Sequence, residues 1–130
     1  KSMGYQVNVM GVSDYIQLVS NGLITNEQTA KNNPALVKGM IRAILKGVQD
    51  TINNPDEAYT ISKKYVETLA QTNESVQKQI LATSIALWKS DRPGYSAPQA
   101  WDNMQKVLLD MGLLKQPLDV KSAYRNDLLP

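Results

Sequence analysis

Acid–base catalysis needs titratable groups that meet at one substrate atom. The chain of 130 residues offers little of that kind: it has neither histidine nor cysteine, and Asp56-Glu57 is its one adjacent acidic pair. Thiolate nucleophiles, disulfides, imidazole metal sites and histidine triads are therefore excluded. Asp56-Glu57 follows Asn54-Pro55 at a helix start, where the helix dipole favours acids, so a capping role outweighs catalysis. Asp14 lies in a polar turn, Ser13-Asp14-Tyr15. Such loops often carry function, although an aspartate there also forms turns by bonding its own backbone. Tyr15 and Tyr95 fall in turns, where a helical core does not explain an aromatic; such rings grip a flat heterocycle. Trp88 and Trp101 lie on apolar helix faces and read as core. Lys38, Arg42 and Lys46 form a basic row at i, i+4, i+8, which is ordinarily solvated surface, with contact to an acidic partner as the lesser use. Gly39 and Gly47 inside the same helix suggest a close-packed neighbouring backbone. Asn73-Glu74-Ser75 matches a glycosylation sequon, but the asparagine serves better as a helix cap.

A net charge of +2, with no basic run longer than Lys63-Lys64, leaves no nucleic-acid footprint. The apolar fraction of 42% suits one globular domain with a modest core. No glycine-rich phosphate loop is present, and no cofactor or metal is implied by these residues. The apolar stretches fall well short of the ~20 residues of a membrane span. Lys1-Ser2-Met3-Gly4 does not read as a processed start, and no signal peptide is visible.

The elements that must position these residues change character near residue 25. Val7, Val9 and Gly11 alternate with Asn8 and Met10, which predicts a short strand. Ser20-Asn21-Gly22 is a turn signal, and Leu23-Ile24-Thr25 predicts a second strand. Two isolated strands are marginal in water and need partners. From Asn26 the period is helical. Asn26 caps Glu27–Asn32, and Asn33 with Pro34 opens a long helix to about Asn53. Leu36, Met40, Ile44, Val48 and Ile52 form its apolar face, broadened by Val37, Ile41 and Leu45. A third helix starts at Asn54-Pro55 with Ala58, Ile61, Tyr65 and Leu69 inward. A fourth runs from Asn73 to about Lys89, burying Val76, Ile80, Ser84 and Leu87 with Leu81, Ile85 and Trp88. Ser96 and Gln99 match a capping box before a fifth helix carrying Ala100, Trp101, Met104, Val107, Leu108 and Met111. Gly112 fits its left-handed end, with Leu113 packing back on Leu108, and Asp119 caps a last short helix to about Tyr124.

These segments also occur in a familiar order. V-S-D-Y and L-V-S-N-G-L-I-T-N-E precede N-N-P-A-L-V-K-G-M-I-R-A-I-L-K-G. Then come N-P-D-E-A-Y, L-W-K-S-D-R-P-G-Y-S and A-W-D-N-M-Q-K-V-L-L-D-M-G-L-L, and Y-R-N-D-L-L-P closes the chain. From about Val7 to Pro130 this order resembles the C-terminal part of ABC-importer solute-binding proteins related to thiamine-pyrimidine synthesis proteins. That group is associated with pyrimidine precursors of thiamine, riboflavin and similar compounds. The resemblance implies a mainly helical chain with two short strands, the C-terminal portion of a bilobed α/β, type II periplasmic-binding fold. Residues 1–25 would form the strand and hinge crossover, and residues 26–130 the helical part of the ligand-binding lobe, in a single incomplete domain.

The resemblance further implies a non-catalytic role, a heterocyclic ligand, an ABC permease as partner and a periplasmic or membrane-anchored extracytoplasmic location. Hinge strands and the loops after them meet the cleft in such folds, which points to Asp14, Tyr15 and Asn21; Tyr95 joins them on composition alone. A family member is more than twice this long, so the chain is expected to be a fragment that self-associates or exchanges segments and binds ligand weakly by itself. Two rivals remain. A pyrimidine synthase-type enzyme would use a histidine, which the chain lacks. A helical protein-interaction module would have no use for the strand-like segments. A periplasmic sensor input domain is a variant of the first reading.

Overall fold

A computed structural model describes residues 4–130; the expectation about Lys1-Ser2-Met3 lies outside the described residues. The described chain forms two compact units, one of residues 4–38 with Gly94–Pro130 and one of Gly39–Pro93. The predicted strands are absent: among the described residues there is no strand, and Val7–Gly11 and Leu23–Thr25 run without regular structure. A strand exists only in a ladder, because its amides and carbonyls need an opposing chain. The alternating residues are present, but no described segment lies opposite them.

In the first unit, a short 3₁₀ turn, Val12–Asp14, precedes α1 (Glu27–Asn32), the opening turn of α2 (Pro34–Asn53) and α5 (Pro98–Asp110). Further 3₁₀ turns are Val120–Ser122 and Asn126–Leu128. The asparagine caps form as expected: Asn26 Oδ1 accepts the Thr29 N–H at 2.7 Å, and Asn33 Oδ1 accepts that of Leu36 at 3.2 Å. The capping box at Ser96 does not form. Ala97 occupies the cap position without a side-chain bond, and Pro98 opens α5. The Gln99 side chain instead donates to Asn103 Oδ1, one turn along the helix, at 3.0 Å. At the other end Gly112 adopts φ +70°. The Gly112 N–H bonds the Leu109 carbonyl and the Leu113 N–H that of Leu108, a Schellman end in which only glycine avoids a Cβ penalty. α5 packs on the turn Val120–Ser122, which Asp119 caps through the Lys121 N–H at 3.1 Å. This turn is 3₁₀ and stops at Ser122, short of the Tyr124 expected. Ala30, Val37, Ala100 and Leu128 are the buried apolar positions of the unit.

In the second unit, the rest of α2 is accompanied by α3 (Pro55–Ser62), a 3₁₀ turn at Glu67–Gln71 and α4 (Glu74–Trp88). Asn73 Oδ1 accepts the Val76 N–H at 3.1 Å, so the sequon asparagine is a cap. The helix expected to reach Leu69 ends at Ser62. Thr60 and Ser62 hydroxyls bond back to the Asp56 and Ala58 carbonyls, and Lys64 and Tyr65 tighten into i→i−3 bonds. The buried residue of α3 is therefore Tyr59, at 4% exposure, whereas Ile61 and Tyr65 are exposed. In α4, Val76, Leu81, Ser84 and Ile85 are half-buried, while Ile80, Leu87 and Trp88 face outward, contrary to expectation. α2 likewise covers Val37, Ile41, Leu45, Val48 and Ile52 and leaves Leu36, Met40 and Ile44 exposed. A Cβ built on Gly39 or Gly47 would meet nothing within 4 Å, so the close-packed neighbour expected there is not found among the described residues.

Candidate functional site

In the first unit, α5 begins three residues after Tyr95. Trp101 stacks on Tyr124 with ring centroids 5.5 Å apart and planes 18° from parallel. This pair joins α5 to the chain's last segment by offset aromatic contact. Trp101 is thus half-buried core, as its spacing suggested, and its indole N–H is buried without a hydrogen-bond partner among the described residues. One turn along the same helix, the Asn103 side chain donates to the Gln17 carbonyl at 2.9 Å. That bond fastens the segment leaving the turn of Asp14 and Tyr15. Before the helix, the Asn126 side chain brackets Ser96: it accepts the Ser96 N–H at 2.9 Å and donates to the Ser96 carbonyl at 2.8 Å.

Asp14 ends the turn Val12–Asp14, and its carboxylate folds back over Gly11, where an added Cβ would lie 2.9 Å from Oδ2. The Asp14 N–H also bonds the Gly11 carbonyl at 3.1 Å. This is the turn-forming use of an aspartate, with its carboxylate still exposed. Tyr15 is 79% exposed, a ring that no described core claims. Asn21 is exposed in an irregular segment, and Tyr95 is half-buried after Gly94, which takes φ +81°. Chain adjacency brings Asp14 and Tyr15 together, while Asn21 and Tyr95 lie in separate segments of the same unit.

The residues that sequence reasoning missed are Asn103, Gln17 and Asn126. Their partners lie far along the chain, and an asparagine near a terminus announces nothing about a carbonyl thirty residues earlier. Flanking Asn126, Arg125 grips Asp127 through Nε and Nη2 at 2.7 and 2.6 Å. The hydrogen bonds from Arg125 lower the Asp127 carboxyl to about 2, and those to Asp127 raise the guanidinium further.

In the second unit, Trp88 walls a shallow, open groove of about 160 Å³ with Leu45, Val48, Gln49, Ile52 and Pro93. At 41% exposure Trp88 is a groove wall rather than the core residue expected. None of Asp14, Tyr15, Asn21 or Tyr95 lines this groove or the hollow along Tyr5–Asn8. Four charges join α3 to α4: Lys78 bonds Asp56 at 2.8 Å and Glu74 at 3.3 Å, and Lys63 bonds Glu74. The lysine ammonium groups stand 4.8 Å (Lys63) and 5.7 Å (Lys78) from the Tyr59 ring centroid. Hydrogen bonds from Lys63 and then Lys78 lower the Glu74 carboxyl, while Asp56 and then Glu74 raise Lys78. The Asp56-Glu57 pair is exposed in the first turn of α3, where the Asp56 carboxylate pairs with Lys78. The basic row on α2 is solvated at Arg42 and Lys46, and Lys46 pairs with Asp50 at 2.7 Å. Among the described residues, no group of three or more acids gathers where a metal ion could be held. No described helix is long and apolar enough to cross a membrane.

Comparison with known proteins gives two findings. The family model described as NMT1/THI5 like matches residues 1–58, the stretch that holds Asp14, Tyr15 and Asn21. The riboflavin-binding protein RibY of Chloroflexus aurantiacus is 33% identical over 135 residues, an alignment that covers 100% of this chain and 38% of that protein. The chain thus spans well under half the length of the curated relative it matches. No solved structure matches it.

Proposed function

We propose that the chain is a member of the NMT1/THI5-like family of solute-binding proteins and forms the C-terminal part of a bilobed binder of a flat heterocycle, riboflavin or a related compound. The family binds solutes rather than transforming them. The observation that carries the reading is the alignment of RibY along the whole of this chain. A chain matching one continuous part of a longer binding protein supplies one part of its ligand cleft. Residues 1–25 then act as the crossover between lobes and residues 26–130 as the helical part of one lobe. The uncovered apolar backbone of the crossover supports this reading, since Val9 is 84% and Ile24 93% exposed and each sits in a segment patterned for a sheet.

Asp14, Tyr15, Asn21 and Tyr95 are the ligand-facing residues in this proposal. The two tyrosine rings would stack on the heterocycle, and the polar pair would fix its orientation. Family members are extracytoplasmic, and an ABC permease would receive the ligand. A helical interaction module would fit the lack of described strands only if the helices closed over their own apolar faces, whereas Leu36, Met40 and Leu87 stay exposed. The test is a fluorescence titration of riboflavin and of a thiamine-precursor pyrimidine against the protein carrying both lobes. Saturable quenching by riboflavin, weakened by Tyr15→Ala and by Tyr95→Ala, is expected. Saturable binding that neither substitution changes would remove these residues from the site, and binding of neither compound would remove the reading.

A further inference from the structure

We infer that Asn126 and Asn103 are positioning residues that fasten the two candidate ligand loops, one to the turn Asn126–Leu128 and the other to α5; the inference rests on the reading that Tyr95 and Tyr15 meet the ligand. A primary amide offers a planar donor–acceptor pair, the same groups that a peptide presents. Asn126 uses both on Ser96, taking its N–H at 2.9 Å and its carbonyl at 2.8 Å in a partly buried setting. The Ser96 N–H belongs to the Tyr95–Ser96 peptide, so holding it fixes that plane and with it ψ of Tyr95. Holding the Ser96 carbonyl fixes the next plane, which leads into Ala97 and Pro98 at the start of α5. The loop is therefore pinned one residue after the tyrosine, next to the most regular element of the unit.

Asn126 is itself held in place. The forked Arg125–Asp127 pair closes around it, and Leu128, two residues on, is buried. Asn103 plays the corresponding part for the other loop. Gln99 donates to its Oδ1, which leaves Nδ2 aimed at the Gln17 carbonyl, two residues after Tyr15. Two loops distant in sequence are thus each held by a single amide side chain, one from α5 and one from the turn Asn126–Leu128. Prior ordering of this kind raises affinity because the ligand need not immobilise the loops itself.

A purely structural role would also lower stability when either amide is removed, so the test separates the two. Asn126→Ala and Asn103→Ala are compared with Asn73→Ala, which removes a cap in the second unit and leaves both loops alone. Amide hydrogen exchange should accelerate at Ser96 in N126A while the interior of α5 keeps its protection. Riboflavin affinity of the protein carrying both lobes, measured where every variant is folded, should fall about tenfold in N126A and less in N103A, whose bond is exposed. N73A should bind as the unmutated protein does. Unchanged Ser96 exchange in N126A, or an affinity loss no larger than in N73A, overturns the inference. Failure of the unmutated protein to bind riboflavin overturns the reading beneath it, and the inference falls with that reading.

Discussion

Lys78 stands between the Asp56 and Glu74 carboxylates, and the signs of the resulting shifts set a pH window. The Glu74 carboxyl is lowered below its ordinary 4.5, so it contributes stability that is present above that value and is lost as pH falls through its depressed folded value. Lys78 is raised above 10.5, so its contribution is present below 10.5 and disappears as pH rises through the elevated value. The carboxylates are exposed and the two lysines only half-buried, which makes the effect small and sensitive to salt. Thermal melts should show Glu74→Gln closing the gap to the unmutated chain as pH drops below about 4, with 1 M salt shrinking the difference at neutral pH. A pH-independent gap would mean that Glu74 acts through packing instead. At this scale the sequence was legible in part. Asp14 as a turn former and Asp56-Glu57 as first-turn acids could be read from their neighbours. The cluster itself could not, because Lys63 and Glu74 meet across a loop rather than within one helix.

At the scale of the element, local chemistry explains most of what formed. Asn26, Asn33 and Asn73 each accept an amide three residues on, and Gly112 ends α5 through backbone that only glycine takes without strain. Asn54 looks like the others in sequence but makes no side-chain cap bond. Replacing Asn26 or Asn73 by alanine should therefore cost about 1 kcal/mol each in chemical denaturation, and Asn54→Ala should stay within about 0.3 kcal/mol of neutral. Equal losses at Asn54 and Asn73 would contradict the capping geometry. The errors at this scale have two causes. Ser96-x-x-Gln99 satisfies the local pattern of a capping box, but a side chain thirty residues away takes the Ser96 amide first. α3 stops early because hydroxyl side chains compete for its carbonyls and the next residues turn to 3₁₀ bonding.

Considered as a whole, the chain leaves large apolar residues uncovered in both units: Val9, Met10 and Ile24 in irregular segments, Leu36, Met40 and Ile44 along α2, Leu87 at the end of α4. Surface of this kind with unpaired backbone beside it recruits another chain. The 130-residue chain by itself should self-associate, which sedimentation velocity at increasing concentration would show as a rising weight-average mass. A concentration-independent monomer would count against segment exchange. On the proposed function, the same chain should bind riboflavin far more weakly than a protein carrying both lobes, since a cleft closed from one side leaves the ligand solvated on the other.

The sequence by itself determined the helix starts at Asn26, Asn33 and Asn73, the end of α5 at Gly112, the absence of histidine and cysteine, and an order of segments that resembles one family. Each of these depends on neighbours within a turn or two, or on the mere presence of a residue type. Tertiary structure decided which side of each amphipathic helix is covered, that Tyr59 rather than Ile61 is buried in α3, and that Val7–Gly11 and Leu23–Thr25 do not become strands. It also placed Asn103 against the Gln17 carbonyl and Asn126 against the Ser96 backbone. Those outcomes depend on partners distant along the chain: a strand needs an opposing backbone, and an amide bond across thirty residues leaves no local pattern to read.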